Sequence, residues 1–399
     1  MSVAWTPIPI IHVDADALSE VTVSRFVPGQ RVWLEFSKSG QVVGVSEAVV
    51  DAGGFISGEK LEELTAAFFS IELSPVSIQD ELLPHAAVVV PTLCKDPERL
   101  VRTVNTILEL DYPDYEVVVV DNRPTPHKLP LPEFADSGRV RVVEEARRGA
   151  SSARNRGIRE STGAFVAFTD DDVVVDPRWL RELGTRFVTN PEVDGIGGLV
   201  LPIELRVRSQ LWFEEYFGGF TQSFSAELLS MELMKNDKMF PYATGRYGAG
   251  CNMAFRRSAL ERNGAFDPLL GIGTPSRGGE DIALFMKQVL TGGTTAFEPR
   301  AVVRHQHRQT EKEFFTQIYG YGTGLTAMYT ALLFKDPRHI PKVLRRIPAG
   351  YRLLTKPSDQ RSPSLASTYP RLTLLRHLLG MAFGPFAYAR SVVRSIVKR

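Results

Sequence analysis

Residues 163–172 read Gly163-Ala164-Phe165-Val166-Ala167-Phe168-Thr169-Asp170-Asp171-Asp172, an apolar run that ends in three consecutive carboxylates. Residues 164–168 are too few for a helix and are bounded by Gly and Asp, so they read as a buried strand. Three adjacent acids repel one another, and burying any of them without a partner is costly. At the carboxyl end of a core strand they call for a cation or for hydroxyl groups, and in an open α/β sheet that end is where ligands bind. The alternative is an acidic loop capping the helix announced by Asp176-Pro177. The flanking chain decides between the two.

Upstream, Ala86-Ala87-Val88-Val89-Val90-Pro91-Thr92 is an apolar strand running into a loop. Asp96 is placed to N-cap a helix whose first position is Pro97, where a missing N–H costs nothing. Leu100, Val101, Val104, Ile107 and Leu108 line one face of that helix. Glu116-Val117-Val118-Val119-Val120 follows and ends in Asp121. Fully apolar strands joined by a helix of this length make a βαβ unit with a parallel sheet. A third strand, Arg139-Val140-Arg141-Val142-Val143, leads through Arg148-Gly149 into a helix ending near Thr162, and the acid-tipped strand comes next. The order is therefore β-α-β-β-α-β, with Asp121 and the acidic triplet both at carboxyl ends of strands. After Asp176-Pro177 a helix turns Trp179, Leu180, Leu183 and Phe187 toward the core and stops near Asn190-Pro191.

With 399 residues the chain has room for roughly two to three domains. A hydrophobic fraction of 43% and a charged fraction of 23% are those of a globular protein. The net charge of +1 carries no nucleic-acid signature, but its distribution is uneven. Residues 335–399 hold fourteen Lys/Arg against two Asp/Glu, so the body is acidic and the tail basic, a split that points to an anionic surface as the tail's partner. Two cysteines, Cys94 and Cys251, make neither a disulfide framework nor a Cys-rich metal site. The residues from Met1 to Pro7 lack the basic start and apolar core of a signal peptide, and no apolar run reaches the ~20 residues of a membrane span. The expected location is cytoplasmic, peripheral on the inner face of the membrane if the tail docks there.

Residues 1–83 read as a small β-rich unit. Arg31-Val32-Trp33-Leu34-Glu35-Phe36 and Gln41-Val42-Val43-Gly44-Val45 are strands around the turn signal Ser37-Lys38-Ser39-Gly40. Ser57 is placed to cap a helix to about Phe69. Nothing catalytic stands out there, and docking or homo-oligomerisation is the expected role.

Six segments now carry a resemblance: Val90-Pro91-Thr92, Val119-Val120-Asp121-Asn122, Gly149-Ala150-Ser151-Ser152-Ala153-Arg154-Asn155, the acidic triplet, Gly250-Cys251-Asn252-Met253-Ala254-Phe255-Arg256 and Gly279-Glu280-Asp281. In this order, from about Ala86 to Phe334, the chain resembles inverting family 2 glycosyltransferases of the GT-A fold. The resemblance implies a mixed, mostly parallel α/β sheet with helices on both faces at residues 84–334, between the N-terminal unit and a basic helical tail at 335–399. It also implies an enzyme that moves a sugar from a nucleotide-sugar donor, a UDP-sugar first, to a hydroxyl of a glycan or lipid-linked acceptor.

By the same resemblance Asp172 is a metal ligand, Asp170 and Asp171 contact nucleotide or ribose, and Asp121 binds the base, with Pro91 and Thr92 lining its pocket. Asp170 and Asp172 share a side if the backbone stays extended. The ion is Mg2+ or Mn2+, held by few protein oxygens and completed by the donor's phosphates. Arg154 either faces the base or phosphates or is a surface cation of its helix. Asp281 maps onto the catalytic base, with Glu280 contacting the acceptor or helping to position it; an acid in the first turn of a helix is favoured in its ionised form, as a base requires. Gly250 and Asn252 are placed beside the donor sugar. His305, in Arg304-His305-Gln306-His307-Arg308, matches a histidine that some members use as a further ligand, which would favour Mn2+; the other readings are a surface histidine pair, or His307 and Arg308 meeting the diphosphate.

The aromatic stretch between Gln210 and Gly248 suits either sugar faces or the core. The tail resembles an interfacial helical region, the alternative being a basic cap on the acidic body. The Gln-x-x-Arg-Trp motif of processive members is missing, which favours addition of one or a few sugars. A sugar nucleotidyltransferase would need a Gly/Arg-rich phosphate loop where Thr92-Leu93-Cys94-Lys95 stands. A non-catalytic nucleotide-sugar or glycan-binding module is the remaining alternative.

Overall fold

The computed structural model describes residues 5–18, 26–66, 68, 76–124, 138–220, 223–355 and 370–397. Its first sheet comprises β1 (Ile10–Asp14), β2 (Arg31–Lys38) and β3 (Gln41–Val49), with β2 central, parallel to β1 and antiparallel to β3. The β2–β3 turn rests on Ser39 and Gly40, both at positive φ (48° and 77°), which matches the turn to the twist of the flanking strands. In α1 (Gly58–Thr65) the Ser57 hydroxyl accepts from the Lys60 N–H, and Leu61 and Leu64 close the sheet's inner face. The extension expected toward Phe69 reaches residues 67 and 69, which lie outside the described ones.

The second sheet begins with β4 (Ala86–Thr92), α2 (Pro97–Leu108), β5 (Tyr115–Asp121), β6 (Val140–Glu144), α3 (Ala150–Glu160), β7 (Phe165–Phe168) and β8 (Val173–Val175). It continues through α4 (Trp179–Thr189), β9 (Val193–Pro202), α5 (Arg208–Phe217), β10 (Glu227–Leu229), β11 (Met253–Arg256), α6 (Arg257–Asn263), α7 (Glu280–Leu290) and β12 (Thr294–His305). The helices α8 (Glu311–Lys335), α9 (Ile340–Leu344), α10 (Ile347–Thr355) and α11 (Leu372–Val397) follow. Strand order is β10-β12-β9-β11-β7-β4-β5-β6, with β8 paired to β12. β4 runs parallel to β5 and β7, β5 to β6 and β9 to β12. β11 lies antiparallel between β7 and β9, which makes the sheet mixed.

Strand alternation sorts the core into two layers. Val88, Val90, Val117 and Val119 meet α2 and α4 through Leu100, Val104, Trp179 and Leu183. Ala87, Val89, Val118 and Val120 meet α3, α7, α8 and α11 through Ala153, Phe285, Met328 and Tyr388. Each fully buried valine contributes about 2 kcal/mol of burial, and helices cover both faces. α2 starts as its residues dictate, with Asp96 accepting from the Arg99 N–H and Pro97 in the first turn.

The N-terminal sheet docks on this body. Trp33 and Val45 pack with Leu199 and Leu201 of β9 and with Phe297 and Val302 of β12. At the other end of the chain α11 lies against α8, with Thr326 Oγ1 donating to the Met381 carbonyl at 2.7 Å. No helix among the described residues is long and apolar enough to cross a membrane.

Candidate active site

The carboxyl ends of β4, β5 and β7 bring Thr92, Asp121 and the acidic triplet to one rim of the sheet, since β4 is paired in parallel with both neighbours. The triplet is not extended. β7 stops at Phe168 and the chain turns at Asp171 and Asp172 before β8, so the expectation that Asp170 and Asp172 share a side by alternation does not apply. The three acids instead meet three sets of partners. Asp170 pairs with Arg154, Asp171 accepts from the Thr92 hydroxyl, and Asp172 faces His305 and Arg308 at 3.4 and 3.6 Å. Burial pushes the Asp171 carboxyl up to about 6 against the Thr92 hydrogen bond, and burial raises Asp172 too, although Arg308 opposes it.

Arg154 is the hub. It is 3% exposed, not a surface cation. Its Nη1 donates to Glu280 Oε1 at 2.8 Å, and its Nη2 donates to Asp170 Oδ1 at 3.1 Å and to the Gly250 carbonyl at 3.3 Å. Glu280 and Asp281 open α7 behind Gly279, whose φ is 84° and where a Cβ would sit 2.5 Å from the Gly324 carbonyl of α8. Only glycine fits that turn, and it fixes where α7 presents its acids. Burial, and next the charge of Asp281, push the Glu280 carboxyl upward, while Arg154 pulls it down. Asp281 is half-buried, and its Oδ1 accepts from the Ile282 N–H at 2.8 Å. A Cβ on Gly250 would lie 3.0 Å from Asp281 Oδ2 and 3.1 Å from Arg154 Nη2, so this glycine keeps the space between them clear.

β12 delivers the histidines. His305 Nδ1 lies 3.2 Å from His307 Nδ1, and His307 Nε2 lies 2.7 Å from Glu214 Oε1 on α5. Burial first, then His307 and Arg308, hold the His305 imidazole down to about 3, so it stays neutral with a lone pair to offer. The pair is buried, at 4% exposure each, which removes the surface reading. Ligand atoms of Asp170, Cys251 and His305 lie within 4.8 Å of one another. Burial raises the Cys251 thiol well above its usual range; it remains protonated and is a poor ligand beside a carboxylate and an imidazole.

Asp121 and Pro91 stand apart from this cluster. Asp121 accepts from Arg123 Nε and Nη2, the latter at 2.6 Å, and Pro91 is half-buried in β4. Asn252 is a correction. It is fully buried, its amide donates to the Leu199 and Ala301 carbonyls at 2.8 Å each, and its Oδ1 accepts from Trp179 Nε1 at 2.8 Å. Fully buried, with both amide protons and its oxygen engaged inside the core, it exposes no atom to a donor sugar. Of the aromatic stretch, Phe240, Tyr242 and Tyr247 join the core, and Trp212 and Phe213 pack on Phe314 and Ile318; the side chain of Phe217 lies outside the described residues. Sequence reasoning missed Glu214, while Arg308, named there as an alternative contact of the diphosphate, lies 3.6 Å from Asp172. The pointer to Glu214 was the alternation of His305 and His307, since a histidine carried into the core needs a buried hydrogen-bond partner.

A mixed sheet of this order, with acids at the rim of β5 and β7 and a further acid pair opening α7, is the GT-A architecture. Residues 87–264, just under half of the chain, match the family model Glycosyl transferase family 2, and the domain they span is a glycosyltransferase domain of that family. It is 25% identical over 303 residues to the glucosyl-dolichyl phosphate glucuronosyltransferase of Haloferax volcanii, covering 72% of this chain and 90% of that one. It is 29% identical over 176 residues to the pre-mycofactocin glycosyltransferase of Mycobacterium tuberculosis, covering 44% of this chain and 34% of that protein. Among solved structures it resembles the mannosyltransferase PcManGT of Pyrobaculum calidifontis in complex with GDP-Man and Mn2+, with a TM-score of 0.47, 20% identity, and coverage of 79% and 80% of the two chains.

Proposed function

We propose that this chain carries out inverting, divalent-ion-dependent transfer of a sugar from a nucleotide-sugar, with a UDP-sugar as the first donor to test, to a hydroxyl of a glycan or lipid-linked acceptor. The observation that carries the reading is the position of Asp281, half-buried at the start of α7 and separated from Arg154 by the open space over Gly250. A base there stands in the first turn of a helix, where the dipole favours negative charge, and has room for an incoming hydroxyl. Asp281 takes the acceptor's proton as the hydroxyl oxygen bonds to the anomeric carbon. The bond from that carbon to the β-phosphate oxygen breaks on the opposite face, and its electron pair leaves with the nucleoside diphosphate. In-line displacement inverts the centre.

The residues fit a divalent ion. Asp170 and His305 converge within 4.8 Å and Asp172 stands 3.4 Å from His305, two carboxylates and a neutral imidazole, a donor set suited to Mn2+ or Mg2+. Asp170, Asp172 and His305 would hold it, and when bound it supplies positive charge to the diphosphate leaving group. Glu214, through His307, sets the orientation of His305. Arg154 clamps Asp170 and Glu280, leaving Asp281 as the free carboxylate of α7. Thr92, Asp171, Pro91 and Asp121 form the side of the rim assigned to the nucleoside. The name of the Haloferax volcanii relative, which specifies a dolichyl phosphate-linked acceptor, supports a lipid-linked acceptor here. The basic tail, with Leu344, Ile347 and Leu379 at least half exposed, supports a peripheral position on a membrane.

A panel of nucleotide-sugars assayed with and without Mn2+ tests the reading. Asp281→Asn should lower transfer about a thousandfold with donor affinity retained, whereas Asp172→Asn should weaken metal-dependent donor binding. Near-normal turnover in Asp281→Asn, or no response to any donor, overturns it.

A further inference from the structure

Four arginines surround one cavity of about 390 Å³: Arg148 ahead of α3, Arg277 in the loop that leads to Glu280, and Arg390 and Arg394 on α11, with Phe383 as an apolar wall. All four are exposed, and among the described residues none has an acidic partner; Arg277 lies over the Tyr319 ring, 5.2 Å from its centroid. The walls are tied together and to the active site. The Ala150 N–H donates to the Ile272 carbonyl at 2.9 Å, and Ser276 Oγ, bonded to the Leu269 carbonyl, lies 3.1 Å from Ser391 Oγ of α11. The same loop continues into Gly279, Glu280 and Asp281.

A second observation points out of the cavity. On α11 the exposed residues Leu372, Leu375, Leu379, Phe383 and Phe386 recur every three or four positions, and Arg390 and Arg394 continue the row. The apolar part of this stripe is about 21 Å long at helical rise, and it ends at the arginines. Like charges converging on one concavity repel until an anion joins them, and guanidinium forks match phosphate oxygens in pairs. An apolar stripe of that length needs an apolar chain. Neither β7 nor β12, which carry the acids and histidine of the donor side, lines the cavity.

We infer that this cavity holds the phosphate or diphosphate of an amphiphilic acceptor whose apolar chain lies along the exposed face of α11. The inference rests on the glycosyl-transfer reading for the acceptor's role and adds the group by which the acceptor is recognised. The phosphate is held, not consumed; the reacting hydroxyl belongs to the part of the acceptor that reaches Asp281.

Binding to the full chain tests it, with farnesyl phosphate, farnesol, inorganic pyrophosphate, phosphatidylglycerol vesicles, and UDP or GDP with Mn2+ as probes. The wild type should bind farnesyl phosphate at least about tenfold more tightly than farnesol, and Arg390→Gln/Arg394→Gln should erase that preference. The same variant should keep UDP or GDP affinity within about twofold, the sites being separate. Leu379→Ser/Phe386→Ser should weaken farnesyl phosphate but leave pyrophosphate unchanged. Unchanged farnesyl phosphate binding in the arginine variant overturns the inference. So does a parallel loss of nucleotide, which would give the arginines to the donor, or an equal loss of phosphatidylglycerol vesicle binding, which would make them a general membrane anchor. If the wild type binds no nucleotide at all, the transfer reading fails on its own, whatever farnesyl phosphate does.

Discussion

Arg304 grips Glu35 from 269 residues away in the chain, with Nη1 and Nη2 donating to the two carboxylate oxygens at 3.0 and 2.8 Å. The pair joins β2 to the strand whose next residue is His305. Burial works to raise the Glu35 carboxyl, but hydrogen bonds from His12 and Arg304 prevail and hold it below its usual range. A carboxyl depressed in the folded state adds stability that is complete above its unfolded value, near 4.5, and is lost as pH falls through the folded one. Arg304→Ala leaves Glu35 buried and short of its main partner, and should cost about 3 kcal/mol at neutral pH. Hydrogen exchange of the β2 amides measures it, and the difference from wild type should shrink on acidification below about pH 4.

Gly250→Ala places a methyl group 3.0 Å from Asp281 Oδ2 and 3.1 Å from Arg154 Nη2. Both neighbours are side chains that can give by a few tenths of an ångström, so the melting temperature should change little. Turnover should fall about tenfold, because displacement on that scale spoils the alignment of a base with its proton. A large loss of stability with turnover intact would contradict this picture of the site.

Asn252→Leu removes the partner of Trp179 Nε1 and of the Leu199 and Ala301 carbonyls. Leaving buried polar groups unsatisfied costs about 1–3 kcal/mol each, so the expected loss is about 4 kcal/mol in urea unfolding. The donor KM of whatever folds at low temperature should match the wild type. A raised KM with unchanged stability would restore Asn252 to the donor site.

His377 of α11 is 3% exposed and lies 3.3 Å from the Tyr216 hydroxyl through Nδ1, and burial pulls it down to about 4. The unfolded chain takes up a proton below the ordinary value of 6.5 while the folded one refuses it. Stability is therefore undiminished above that pH and declines as pH falls toward 4, by about 3 kcal/mol in all. Wild type and His377→Gln compared by thermal unfolding at pH 7 and pH 4.5 should show the wild type losing more.

Much of the fold was legible because its signals are local. The apolar runs ending at Thr92, Asp121 and Phe168 are strands, and Ser57 and Asp96 cap helices where their short side chains predict. The members of the site were legible as residue types, while their partnerships were not. Nothing within a helical turn of Arg154 tells that it is buried, since its partner Glu280 lies 126 residues on. The turn at Asp171 and Asp172 depends on β8 pairing with β12, a contact across more than a hundred residues. Asn252 sits in a family-like segment and reads as a ligand contact until Trp179 is packed above it.

The clamp on Arg154 also bears on how the protein folds. Its carboxylates come from the end of β7 and the start of α7, and the second lies beyond β11 in the chain, the strand that sits between β7 and β9. A guanidinium buried before both acids are present would be uncompensated, so α3 is disfavoured from seating early by its own arginine. Closure over such separations is slow. Completion of the fold and competence to bind a donor then become the same kinetic event, and the rise of nucleotide binding during refolding should trace the last phase rather than the first.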